Sequence, residues 1–157
     1  MAEFLSQDEI DNLLDIAEEG EQNKKKVCLF LDYYGVLRIS SYEDNIMMLE
    51  EDYIPTLKAL IKEYNIDVYA HSTNGIKAVQ TALGDDIVVK GDTNKDMNTL
   101  KKLGTTYDVK ILIDDEVFSS LYFEQEYNVD YIVQPDRDFG ITDKNLYHLR
   151  KYLSVVI

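Results

Sequence analysis

One cysteine, Cys28, is all the thiol chemistry available, so no disulfide can form within the chain and a reducing compartment fits. Basic residues are scarce as well: 16 lysines and arginines stand against 30 acidic residues, a formal net charge of -14. Such a surface repels phosphate backbones and anionic membranes, which argues against nucleic acid and lipid as partners. No apolar run approaches the length needed to span a bilayer, and the first residues are acidic, unlike a secretory leader. Internal repeats and low-complexity segments are missing too. The expectation from these exclusions is a cytoplasmic protein. What is present suffices for one globular domain: 157 residues, 45% of them apolar.

The chain divides into an arm (residues 1–20), a linker (21–26) and a domain (27–157). In the arm, Ser6 suits a helix N-cap and Glu9 the reciprocal position of a capping box. Ile10, Leu13, Leu14 and Ala17 then recur at helical spacing, and Gly20 ends the pattern. The linker is polar and charged. A short amphipathic helix is marginal alone. Its stripe must therefore pack on its own domain, on a second copy, or on another protein as a helix in a groove.

From residue 27 the pattern alternates. Apolar runs at 27–31, 66–70, 87–89, 109–113 and 131–133 predict buried strands. Stripes at 53–64, 76–83, 94–103, 118–127 and 145–155 predict helices, with Pro55 tolerated in a first turn. Residues 38–52 are irregular and long enough for a small flap. This alternation predicts a three-layer, Rossmann-like α/β domain, a parallel sheet with helices on both faces. Polar residues follow several of the strands: Asp32, Ser72 and the pair Asp114-Asp115, with Lys95 at the start of the helix before the fourth strand. In a parallel sheet those ends gather at one edge. Gly35 lets the chain turn sharply after Asp32. A carboxylate, a hydroxyl, a lysine and a carboxylate pair at one edge suit phosphoryl transfer. Carboxylates can hold Mg²⁺, and the cation lets an anionic nucleophile approach an anionic phosphate. Lysine and hydroxyl would neutralise the phosphoryl oxygens.

Two resemblances follow from these residues. Residues 4–14, FLSQDEIDNLL, resemble the N-terminal segment of the flagellar motor switch protein FliM and its relative FliY, which binds the phosphorylated response regulator CheY. That resemblance implies a docking helix that uses Ser6, Ile10, Leu13 and Leu14. Residues 27–157 resemble the haloacid dehalogenase superfamily. The first motif of that family is matched by Asp32-Tyr33-Tyr34-Gly35-Val36-Leu37, the second by Ser72, the third by Lys95 (or else Lys90), and the fourth by Asp114-Asp115. The resemblance implies an aspartyl-phosphate on Asp32, assisted by Ser72 and Lys95. It also implies Mg²⁺ held by Asp32, the Tyr34 backbone carbonyl, Asp114 and Asp115.

One position departs from the family pattern. Tyr34 stands where family phosphatases carry the aspartate that protonates the leaving group, and tyrosine, with a reference pKa near ~10, is a poor base at neutral pH. Dehalogenases of the family share the D-x-Y-G pattern but carry a helical cap, for which residues 38–66 leave no room. A capless site in this family goes with macromolecular substrates or with no catalysis. The expected function is thus a Mg²⁺-dependent phosphatase; the alternative is an impaired binding or adaptor protein for a response regulator or flagellar switch component. His71 could touch a substrate or serve the structure, Arg38 could meet an anion near Asp32 or face solvent, and His148 is expected in the surface or the core. The 12 tyrosines are read as packing and interface residues.

Overall fold

The computed structural model describes residues 6–11, 25–40, 46–47, 53–116, 125–126 and 128–157. Leu13, Leu14, most of the flap and nearly all of the helix expected at 118–127 lie outside them.

Val27–Leu31 (β1) is apolar and buried along its whole length, as a central strand must be. A hairpin follows, Ile39–Ser40 (β2) with Ile46–Met47 (β3), at the expected flap. Ile54–Glu63 (α1) carries Pro55 in its first turn and buries Ile54, Leu57, Leu60 and Ile61. Asp67–Ala70 (β4) comes next, then Ile76–Leu83 (α2), closed by Gly84 at φ 86°. Val89–Asp92 (β5), Met97–Gly104 (α3), Val109–Ile113 (β6), Tyr131–Val133 (β7) and Asp143–Val156 (α4) complete the described elements.

The main sheet has five parallel strands in the order β5-β4-β1-β6-β7. The chain builds outward from β1 in one direction, then crosses back to build in the other. β1 therefore lies at the switch point of an α/β sheet flanked by helices, a Rossmann-like arrangement. Alternate residues of β1 feed two cores. Val27, Leu29 and Leu31 join Leu57, Leu60, Val79, Leu83, Leu149 and Leu153 from α1, α2 and α4. Cys28 and Phe30 join Leu100 of α3, with Leu112 and Val129. Burial pushes the Cys28 thiol up to about 12, so it packs as a small apolar group. No helix among the described residues is long and apolar enough to cross a membrane.

The third strand and the helix before the fourth depart most from the sequence pattern, each for a local reason. The third strand was expected at 87–89 but runs Val89–Asp92. Ile87 is buried without being strand: its carbonyl accepts the Gln80 side-chain amide at 2.6 Å, and the Val89 amide donates to Gln80 Oε1 at 2.9 Å. The helix expected to begin at 94 begins at Met97, because the Asp96 carboxylate accepts the Thr99 amide at 3.3 Å and caps it. Lys95 thus belongs to the turn before α3 and not to the helix itself.

The last helix opens on a capping box between Thr142 and Asn145. Thr142→Ala should lower stability by about 1 kcal/mol. Urea unfolding would read this as a lower midpoint at unchanged slope, and an unchanged midpoint would refute the role of the cap.

Candidate active site

The ladder runs one residue past the ends of β1, β4, β5 and β6. Asp32 N–H donates to the Ile113 carbonyl at 3.0 Å, His71 N–H to Leu31 at 2.9 Å, Thr93 N–H to Ala70 at 2.9 Å and Asp114 N–H to Val133 at 3.1 Å. Asp32, His71, Thr93 and Asp114 therefore stand in one row along the carboxyl edge, and all four are buried. The row exists because apolar strands end in register and each is followed at once by a polar residue.

Lys95 ties the row together. Its ammonium lies 2.5 Å from Asp114 Oδ2, 3.3 Å from Asp32 Oδ2 and 3.4 Å from the His71 carbonyl. Burial works against the charged ammonium, but the hydrogen bond and charge of Asp114, with Asp32 behind it, hold its pKa above the usual lysine value. For Asp32 the balance goes the other way. Burial, then the neighbouring Asp114 charge, push its carboxyl up to about 7, although Lys95 and the Tyr33 amide oppose the shift. That amide donates to Asp32 Oδ1 at 2.8 Å.

His71 is a supporting residue. Its Nδ1 lies 2.5 Å from Thr93 Oγ1 and its Nε2 3.9 Å from Asp114 Oδ2. Burial, followed by the Lys95 charge, pulls its pKa down to about 3, so the ring is neutral and makes no ion pair with Asp114. The same Thr93 hydroxyl accepts the Lys95 amide at 3.2 Å. Asn94 and Lys95 both adopt left-handed backbone, φ 54° and 57°. Non-glycine residues in that region cost energy. Here their amides are held by Asp92 Oδ1, at 2.8 Å, and by Thr93.

Asp115 completes the cluster. Asp32, Asp114 and Asp115 each offer an oxygen within 4.8 Å of the others. The turn after β1 packs against this group: Gly35 sits at φ 74°, and a Cβ there would overlap the Asp115 carboxylate. Arg137, in the loop after β7, brings Nε to 3.5 Å from Asp115 Oδ2 and also pairs with Glu116. The Glu116 amide in turn donates to Asp114 Oδ1 at 2.9 Å. Three carboxylates are hard oxygen donors of the kind that suits Mg²⁺ or Ca²⁺.

The other candidate residues fall out plainly. Ser72 is buried at the same edge, one residue beyond His71, and its hydroxyl is engaged with the Asn74 amide and side chain, both at 3.1 Å. Tyr34 is 37% exposed, with its ring edge-on to Tyr33 at 5.1 Å. Lys90 is excluded from the cluster: it pairs with Asp67 at 2.9 Å, toward the opposite end of the sheet. Arg38 donates to the Leu37 carbonyl at 2.7 Å. His148 is exposed on α4 against Tyr147. Sequence reasoning did not single out Thr93, Glu116 or Arg137. Thr93 had a signal, because it opens the polar run Thr93-Asn94-Lys95 directly after a strand. Arg137 had none, since only the fold brings its loop to Asp115.

The raised Asp32 pKa has a sign. In the metal-free protein, stability from this group is complete below the unfolded carboxylate pKa. It is lost as pH rises toward and through about 7. With a chelator present, urea unfolding should show less stability at about pH 8 than at about pH 5. Asp32→Asn should flatten that difference. A wild-type slope no steeper than the variant's in this window would contradict the placement of Asp32.

Among known proteins, no family model, no curated protein and no solved structure matches this chain.

Proposed function

We propose that the chain is a haloacid dehalogenase-like domain that transfers a phosphoryl group from a macromolecular substrate to Asp32, with Mg²⁺ as cofactor. The observation that carries this reading is the meeting of Asp32, Lys95, Asp114 and Asp115 at one sheet edge. The order of the sheet supports it, because β1 is central and its carboxyl end is where such folds place their chemistry. Between β1 and β4 the described residues form only the β2–β3 hairpin and α1, which agrees with a capless, open site.

Asp32 Oδ1 is fixed by the Tyr33 amide, and Oδ2 faces Lys95. An Asp32 oxygen would form a bond to phosphorus as the bond to the leaving oxygen breaks. Lys95, and Ser72 once its hydroxyl turns from Asn74, would stabilise charge on the phosphoryl oxygens. Asp32, Asp114 and Asp115, with the Tyr34 backbone carbonyl, would hold the cation. When bound, it would neutralise these carboxylates and allow anionic Asp32 to approach an anionic phosphate. The leaving oxygen still needs a proton, and water would then have to attack the phosphorus of the aspartyl-phosphate, releasing inorganic phosphate and restoring the Asp32 carboxylate. Tyr34 stands where the family's general acid would be, and losing such a group typically costs on the order of 10²–10⁴ in rate.

Aryl-phosphate turnover should therefore be slow, Mg²⁺-dependent and abolished by Asp32→Asn. Tyr34→Asp should raise it by on the order of 10²–10⁴-fold. Millimolar Mg²⁺ should also raise the melting temperature of the wild type but not of Asp32→Asn. No turnover in either the wild type or Tyr34→Asp, with melting unaffected by Mg²⁺, would remove the hydrolase reading.

A second reading has its own support. Tyr34 weakens catalysis, and the arm presents a capped helical turn with an exposed apolar residue. Residues 7–11 are helical, the Ser6 hydroxyl accepts the Glu9 amide at 3.2 Å, and Ile10 is 38% exposed. This arm would dock a CheY-like response regulator or a flagellar switch component through Ser6, Ile10, Leu13 and Leu14, and so raise the partner's local concentration at the domain. Phosphorylated CheY should be retained by the wild type and lost with Leu13→Ala/Leu14→Ala in a pull-down. Equal capture by both would refute docking through the arm.

A further inference from the structure

A second concave site lies at the opposite end of the sheet, where the strands begin. A cavity of about 480 Å³, in the size range of small-molecule sites, is lined by Lys25, Lys26, Tyr64, Asp67, Lys90 and Tyr107, among others. β1 spans five residues between this end and the carboxyl edge. Strand geometry therefore puts the cavity roughly 15 Å from Asp32, so it is separate from the site described above.

Its charge runs against that of the chain. Acidic residues outnumber basic ones 30 to 16 overall, yet the lining holds three lysines and one carboxylate. That carboxylate is already engaged: Asp67 Oδ1 lies 2.9 Å from Lys90 Nζ, and Oδ2 accepts the Tyr107 hydroxyl at 2.6 Å. Lys25 and Lys26 remain. Both are exposed, and neither ammonium joins an ion pair among the described residues. Two adjacent ammonium groups at a cavity, with no ion-pair partner among the described residues, make a local anion site in a chain so rich in carboxylates.

The walls are held in place. The Lys26 amide donates to Asp108 Oδ2 at 2.8 Å, and its carbonyl accepts the Asp108 and Val109 amides at 2.8 and 3.0 Å. Lys26 therefore rises from a fixed segment, with Lys25 next to it. Tyr107 donates to Asp67, so the Tyr69 hydroxyl, 2.8 Å away, must donate to Tyr107. The two rings meet edge-on at 5.9 Å. This arrangement places an ordered aromatic wall beside the Lys25 and Lys26 ammonium groups, with Tyr64 as a second ring and Asn65 and Thr106 as polar partners. A flat aromatic base stacks well on tyrosine, and phosphate oxygens pair well with lysine.

We propose that this cavity binds a nucleoside monophosphate, its phosphate on Lys25 and Lys26 and its base against the tyrosine wall. A small ligand enters the lysine-lined cavity without meeting the acidic surface that repels a polynucleotide. The site does not depend on phosphoryl transfer at Asp32. The test uses the full chain carrying Asp32→Asn, in chelator, so that the carboxyl-edge site takes no part. Backbone amide spectra are followed during titration with AMP and, separately, with inorganic phosphate. AMP should shift the amides of Lys25, Lys26, Asn65 and Tyr107 and bind more tightly than phosphate. Lys25→Ala/Lys26→Ala should weaken AMP by roughly tenfold or more while leaving the carboxyl-edge amides in place. No shift at these amides with millimolar AMP would overturn the proposal. So would equal affinity in the double variant, or phosphate binding as tightly as AMP.

Discussion

Two carboxylates on the ends of neighbouring buried strands need a cation, and Lys95 is the one this chain supplies. Asp32 follows β1 and Asp114 follows β6, and both are withdrawn from water. Taking such groups out of water costs several kcal/mol each unless a partner compensates. The Lys95 ammonium meets one at 2.5 Å and the other at 3.3 Å. Its compensation is uneven: Asp114 takes the shorter contact, and Asp32 is left with its carboxyl pushed up to about 7. The third carboxylate, Asp115, is met from the other side by Arg137. The edge is thus a charge balance drawn from four loops, and each loop is placed by the strand before it.

Lys95 reaches that position from a distance. It follows β5 at the sheet's margin, while the carboxylates follow β1 and β6, so its side chain passes over the end of β4 and touches the His71 carbonyl on the way. Strands are about 4.8 Å apart, so β1 and β6 lie two and three spacings from β5, and the turn that carries Lys95 has to cover part of that distance. The left-handed backbone at Asn94 and Lys95 aims it inward. Left-handed residues of this kind persist only where their surroundings over-determine them. Here Thr93 does so, binding the Lys95 amide with the same hydroxyl that contacts His71. A neutral, buried His71 is suited to this role because it adds no charge beside the Lys95 ammonium.

The sheet was legible because its central strands are mainly apolar and all its strands are separated by helical stripes. Burial of all five residues in β1, and of the four apolar residues in β6, follows directly from their composition, whereas Lys110 of β6 is buried with its ammonium donating to the Tyr107 carbonyl at 3.2 Å. The edge residues Asp32, Lys95 and Asp114 were legible for a related reason, as polar groups placed at the ends of such runs. What was not legible was anything set by a side chain standing in for backbone. Gln80 takes the ladder positions of Ile87 and Val89 and so delays β5. Asp96 caps α3 and thereby pushes Lys95 out of the helix. Arg137 was invisible because its partners are far away in sequence, and Lys90 separates from Lys95 only once the direction of β5 puts them at opposite ends of it.

The charge balance at the edge also bears on how the two functional readings differ. Asp114 and Lys95 satisfy each other's burial whether or not a substrate is turned over, so the fold alone would keep them. Removing Lys95 leaves two buried carboxylates unpaired, and removing Asp114 leaves an ammonium between the strand ends. An adaptor and an enzyme built on this sheet would share that pair for reasons of stability. Asp32 is less well compensated, and its raised pKa is a cost that the fold carries. A group held at such a cost is the kind found at functional sites. Tyr34 is the converse case. It is more than a third exposed and meets the edge of Tyr33, so the fold gains little from it. On the proposed reading, activity would therefore be decided at Asp32 and Tyr34, the two positions that stability does not fix.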